Sequence, residues 1–254
     1  MKLKKIGSKY GGWKIPTDAL NEGAICYCFG AGEDISFDLE LVEKHNCRVF
    51  VFDPTPRSIL HIDQLKDHLA NGKPMKINDQ ENHFYDISSE KLSSLFSFAP
   101  YGIYTRNELV KFFVPSDPSH VSHSITNLQQ TDGYFLAECK TLLKIMSELD
   151  HDHIDLIKLD VEGVEHDVIE NLMECNIYPR VLCVEFHHTK EVLAWETTLP
   201  LIRKLRKYGY ALAHNDHYNF TFVLRIETPE ASDFLKMCQL SWWAFRHSLR
   251  NKVA

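Results

Sequence analysis

A chain of 254 residues with a net charge of −7, 44% hydrophobic and 25% charged, has the composition of a globular domain rather than of a disordered or fibrous one. No basic run is long enough to favour nucleic acid as a partner. No apolar run reaches membrane-span length, and the lysine-bearing start lacks the apolar stretch of a signal peptide.

These properties predict one domain over 1–254, with a core at about 22–228 and a helical tail at 229–254, in the cytoplasm. Seven cysteines, none in a paired zinc spacing, fit buried thiols in a reducing compartment. Residues 24–29 (AICYCF) form a short apolar run that ends at a glycine turn, as a buried strand does. Ile35, Leu39 and Val42 then recur at helical spacing behind Asp34, a candidate cap. Residues 48–53 (RVFVFD) predict a second strand, stopped by Pro54 and Pro56, and 58–70 a helix closed by Asn71 and Gly72.

The middle is less regular. Residues 96–104 (FSFAPYGIY) predict a third strand, bent at Pro100 and Gly102. Residues 109–114 alternate as a strand in an insertion, followed by a polar loop over 115–130 and a helix over 141–149. Regularity returns with a strand at 154–160 (IDLIKLD), a helix at 161–174, a strand at 180–186 (RVLCVEF) and a helix at 200–208 with proline in its first turn. A strand hairpin closes the order, from 210–213 through Asn215 and Asp216 to 219–226. Alternation of this kind predicts an α/β open sheet, mostly parallel, with an antiparallel C-terminal hairpin strand and helices on both faces.

Ligands of such sheets bind beyond the carboxyl ends of the strands. There the chain places Phe29, Gly30, Ala31 and Gly32, then Asp53 and Pro54, then Asp160 and Glu162, then Glu185, His187 and His188. The glycines let backbone approach a ligand closely, and an acid about 20 residues on commonly takes ribose hydroxyls. A dinucleotide fingerprint would need glycine at position 35, which is Ile, and Glu33 and Asp34 would repel a pyrophosphate. S-adenosylmethionine, which carries positive charge and no phosphate, suits an acidic turn better.

The segments FGAGEDISFDL, VFVFDPTP, SHVSHSITNLQ, IDLIKLDVEGVEHDVIENL and VLCVEFHH together resemble the FkbM-type methyltransferases, over about residues 24–226. The resemblance implies a class I methyltransferase (Rossmann-like) fold, S-adenosylmethionine as donor, and O-methylation of a sugar, glycan or natural-product hydroxyl. Two departures stand out: Asp34 where many members carry glycine, and Asp53 where Glu is frequent.

The expected cofactor contacts are therefore Phe29, Gly30, Ala31, Gly32, Asp34, Asp53 and Pro54. Asp160, Glu162 and His187 are the candidates to take a proton from the acceptor, and His123, Ser124 and His188 the candidates to contact it. The acceptor is expected to be a small molecule or glycan, not nucleic acid. No metal is expected, although Asp160, Glu162, Glu185 and His187 offer ligands for a divalent ion. The rival reading is an inactive scaffold of the same fold, with Trp242 and Trp243 as its contact residues.

Overall fold

The structure, a computed structural model, describes residues 2–77, 83–116, 123–127, 130–187, 196–216 and 218–225. Five short apolar runs form the parallel heart of a seven-stranded sheet: β3 (Ile25–Phe29), β4 (Arg48–Phe52), β5 (Phe96–Ala99), β9 (Leu156–Leu159) and β10 (Val181–Glu185). β11 (Tyr210–Asp216) and β12 (Asn219–Leu224) complete it as a hairpin, in the order β11-β12-β10-β9-β3-β4-β5. β12 lies antiparallel between β10 and β11. This is the expected α/β class, with the reversed strand where the hairpin was predicted. No helix among the described residues is long and apolar enough to cross a membrane.

Period-two alternation explains the layering. In β3, Ile25, Tyr27 and Phe29 face one core, while Cys26 and Cys28 face the other. The first core is closed by α4 (Leu142–Glu148), α5 (Glu165–Glu174) and α6 (Thr198–Lys207), and the second by α1 (Ser36–His45) and α2 (Pro56–Ala70).

Several expectations change. The strand predicted over 96–104 is two strands in two sheets. Pro100 has no N–H to continue the ladder, and the Tyr101 amide folds back onto the Ala99 carbonyl at 3.0 Å. β6 (Gly102–Ile103) then joins β7 (Glu108–Phe113) and β8 (Tyr134–Lys140) in a separate three-stranded sheet. The helix predicted from 161 starts at Glu165, because Glu162 (φ 56°) and Gly163 (φ 108°) hold left-handed backbone. Ser124 Oγ donates to the Glu162 carbonyl at 2.6 Å and Glu165 Oε1 accepts from the Gly163 amide at 3.0 Å, so neither group is left for a helix. Not foreseen at all were β8, the short helix α3 (Ser89–Leu95) and an N-terminal hairpin of β1 (Leu3–Ile6) and β2 (Trp13–Pro16). The tail at 229–254, with Trp242 and Trp243, lies outside the described residues.

β3 has β4 on one side and β9 on the other, so strand order reverses between β3 and β9 and a crevice opens there. The strand ends meet very closely. Gly30 has φ +85°, and a Cβ on it would lie 1.9 Å from the Asp160 carbonyl oxygen. Gly23 has a similar φ of +79°, but a Cβ there would meet no atom within 4 Å. Gly23→Ala should therefore cost only about 1 kcal/mol of backbone strain. Gly30→Ala should cost several-fold more, read as a lower midpoint in urea; equal losses would refute the close-approach reading.

Candidate active site

The crevice widens into a cavity of about 460 Å³, within the range of small-molecule sites. Its floor is the turn after β3. The Gly30 amide bonds the Phe52 carbonyl (3.0 Å), the Asp160 amide bonds the Phe29 carbonyl (3.1 Å), and Lys158 Nζ donates to the Gly30 carbonyl (2.5 Å). Lys158, 4% exposed, stands in the middle of β9 with Asp160 Oδ2 at 3.9 Å. Burial alone would pull its pKa down, but the Asp160 and Asp38 charges outweigh burial and hold it above the ordinary lysine range. Asp38 is buried, and neither of its oxygens has a hydrogen bond of ordinary geometry among the described residues; its company is the Cys28 thiol and the Lys158 charge.

The two aspartates expected to face a cofactor are largely spent on the protein. Asp53 Oδ2 accepts from the amides of Ala31 (2.8 Å) and Gly32 (3.1 Å) and from Ser58 Oγ (2.7 Å). Its Oδ1 accepts from the Thr55 amide (2.8 Å) and hydroxyl (2.6 Å). Five donors surround the carboxylate, so Asp53 clamps the glycine turn from within the cavity wall. Asp34 is not a helix cap of the expected kind either. Its Oδ2 accepts from Ser8 Oγ (2.5 Å) and the Gly11 amide (3.2 Å), tying the N-terminal hairpin to the turn, while Oδ1 accepts from the Ser36 amide (3.0 Å). Glu33 is paired with Arg57 at 2.8 Å. The acidic charge that should repel a pyrophosphate is thus mostly met by protein donors. Two amides at the start of α1 are also taken by protein acceptors, Ser36 by Asp34 and Ile35 by the Tyr85 hydroxyl (3.2 Å), which leaves fewer donors there for a phosphate.

The opposite mouth, at the ends of β9 and β10, gathers the other predicted residues. His187 Nδ1 lies 2.7 Å from Glu165 Oε1, and Nε2 lies 3.2 Å from Glu162 Oε2 and 4.0 Å from Glu185 Oε1. Asp160, Glu185 and His187 each offer a ligand atom within 4.8 Å of the others. Burial would lower His187, yet its bond to Glu165 and the Glu165, Glu162 and Asp160 charges lift it to about 10. Burial raises the Glu185 carboxyl to about 7, with Asp160 adding to the rise and His187 opposing it. With carboxylates facing both ring nitrogens, the surroundings of His187 favour its charged form.

Phe29, Gly30, Ala31, Gly32, Asp34, Asp53 and Pro54 all line the cavity, as do Asp160, Glu162, His187 and His123. Ser124 is buried outside the cavity lining and anchors the insertion to the Glu162 carbonyl. His188 lies outside the described residues. The sequence reading passed over Lys158 and the walls supplied by Tyr10 and Trp13 of the hairpin and by Ile103, Phe112 and Ile125 of the insertion. Lys158 did carry a signal: a lysine inside a wholly apolar strand must find counter-charges.

The methyltransferase FkbM domain family matches residues 29–212, from the glycine turn into β11. The chain belongs to that family. No curated protein matches it. Among solved structures it is similar to Sp1610 of Streptococcus pneumoniae, a candidate tRNA (m1A22) methyltransferase in complex with S-adenosyl-L-methionine. That pair is 9% identical with a TM-score of 0.43, over 91% of this chain and 95% of the other. A candidate transferase, PH0793 of Pyrococcus horikoshii, is 12% identical with a TM-score of 0.31, over 87% and 70%.

Two substitutions separate clamp from ligand. Asp53→Asn sets an amide against at least one of its five donors and should lose about 3 kcal/mol in urea denaturation, whereas Ser58→Ala, removing one donor, should lose about 1 kcal/mol. Similar small losses from both would mean that Asp53 is not the clamp. Ser8→Ala should leave the circular dichroism of the domain intact but free the hairpin turn, so that trypsin cuts at Lys9 several-fold faster; an unchanged cutting rate would separate the hairpin from Asp34.

Proposed function

We propose that the chain transfers a methyl group from S-adenosylmethionine to a hydroxyl of a small-molecule, sugar or glycan acceptor. The observation that carries this reading is a single cavity joining the glycine turn of β3 to the carboxylate and imidazole cluster at the ends of β9 and β10.

The residues fit the donor. Gly30 keeps the turn flat where any side chain would meet the Asp160 carbonyl, and Phe29, Phe52 and Pro54 give the wall an apolar part. The Ile35 and Ser36 amides at the start of α1 are already taken by Tyr85 and Asp34, while Asp160, Glu162 and Glu185 supply negative charge for a cationic group. Bound there, S-adenosylmethionine supplies an electrophilic methyl on a positively charged sulfur. The chain's own work is to align and to remove a proton. Gly30 and Asp160, locked together, fix the floor on which acceptor oxygen and methyl must line up. As the oxygen gains its methyl it loses its proton, and a carboxylate of the cluster is placed to receive it. The insertion, through Ile103 and Phe112, adds apolar wall to the cavity.

Calorimetry should show S-adenosylmethionine binding one to one in the micromolar range, with Gly30→Ala weakening it at least tenfold. With methyl-labelled donor, the label should pass to hydroxylated small molecules or oligosaccharides and not to RNA. Failure to bind the donor at millimolar concentration would sink the donor reading and favour a scaffold; label appearing only in RNA would sink the acceptor.

A further inference from the structure

Among the described residues, the cluster beside the glycine turn is rich in carboxylates. Four carboxylates, those of Asp160, Glu162, Glu165 and Glu185, surround one imidazole. The other nearby cation, Lys158, is turned to the Gly30 carbonyl beneath the floor. Two further observations point to a missing positive partner. Glu165 is completely buried with Oε1 on His187 Nδ1, and its Oε2 has no hydrogen-bond partner among the described residues. Asn219, paired in register with Glu185 on the neighbouring strand, lines the cavity, and its buried Oδ1 likewise accepts nothing there.

We infer that Asp160, Glu185 and His187 Nε2 form a divalent metal site, with Glu165 as the carboxylate that orients the histidine. The geometry suits an ion: ligand atoms on opposite sides of a six-coordinate Mg²⁺ or Mn²⁺ stand about 4 Å apart, and the three here fall within 4.8 Å. A metal-bound histidine characteristically gives its other ring N–H to a carboxylate, which is the bond from His187 Nδ1 to Glu165. Metal binding at Nε2 displaces one proton from the imidazolium to solvent, so charge and atoms balance. Three protein ligands leave coordination positions open toward the cavity. An acceptor with adjacent oxygens would occupy them, and its hydroxyl would lose its proton more readily on the ion. That use rests on the methyl-transfer reading; the site itself does not.

The test is made on the full chain, freed of metal with a chelator and titrated with Mn²⁺ in the absence of S-adenosylmethionine. The free-ion electron paramagnetic resonance signal reports binding. One Mn²⁺ per chain is expected, with Glu185→Gln weakening binding at least tenfold and Glu165→Gln weakening it about 10- to 100-fold through the histidine. No binding up to millimolar Mn²⁺, or binding unchanged in Glu185→Gln, overturns the site. If Glu185→Gln loses its cooperative melt, the decision passes to Glu185→Asp, which keeps the charge and draws the carboxylate back by one methylene; binding unchanged there overturns the site. Calorimetry with the donor on the same samples separates the two readings: Mn²⁺ bound without donor affinity keeps the site and removes methyl transfer, and the reverse removes only the site.

Discussion

Everything at the crevice depends on how closely the ends of β3 and β9 approach. Gly30 and the Asp160 carbonyl touch at a distance that no side chain allows, and the Lys158 ammonium is pinned to the Gly30 carbonyl from below. A buried ammonium survives only with compensation, and it has two carboxylates for it, Asp160 above the turn and Asp38 beneath. Removing one member of such a buried set typically costs about 3–5 kcal/mol, because the partner left behind is charged and dry. The crevice is therefore rigid by electrostatics as well as by backbone fit. That rigidity is what a reaction governed by alignment requires.

Charge is distributed unevenly around this fixed point. On the β4 side, the acids are consumed: Asp53 by turn amides and hydroxyls, Asp34 by the hairpin, Glu33 by Arg57. On the β10 side, Asp160, Glu162 and Glu185 share one imidazolium between them. One end of the cavity is thus nearly neutral toward a ligand, and the other is a sink for positive charge. Electrostatics alone therefore favours a positive group at the second end over the first.

How much of this was legible in the sequence follows from what each signal measures. Hydrophobic periodicity located the five parallel strands and the closing hairpin, because burial on both faces demands continuous apolar runs such as AICYCF. It placed Cys26 and Cys28 on one face, where they are. It failed where local backbone overrode it: the stripe through Val161 and Val164 reads as helix, yet Ser124 and Glu165 hold the chain in left-handed turns there. The site's membership was largely readable, since strand-end position is a topological matter. The duty of each acid was not. Whether Asp53 faces a ligand or five protein donors is decided by Thr55, Ser58 and a glycine turn folding round it, and no spacing rule encodes that. The hairpin over the site escaped for a similar reason, as its short alternating strands gain their stability from docking on Ser36 and Glu40 of α1.

The two elements that close the cavity are fastened to the residues that build its floor. The hairpin hangs on Asp34, just past Gly32 in the same turn, and the insertion hangs on the carbonyl of Glu162, just past Asp160. Glu162 adopts its left-handed conformation with that carbonyl held, and its side chain meets His187 on the other side. The backbone that anchors the insertion is thus also the backbone that aims a carboxylate at the imidazole. Outer walls and central charges are fastened to one another, because the chain uses the same two turns to hold both.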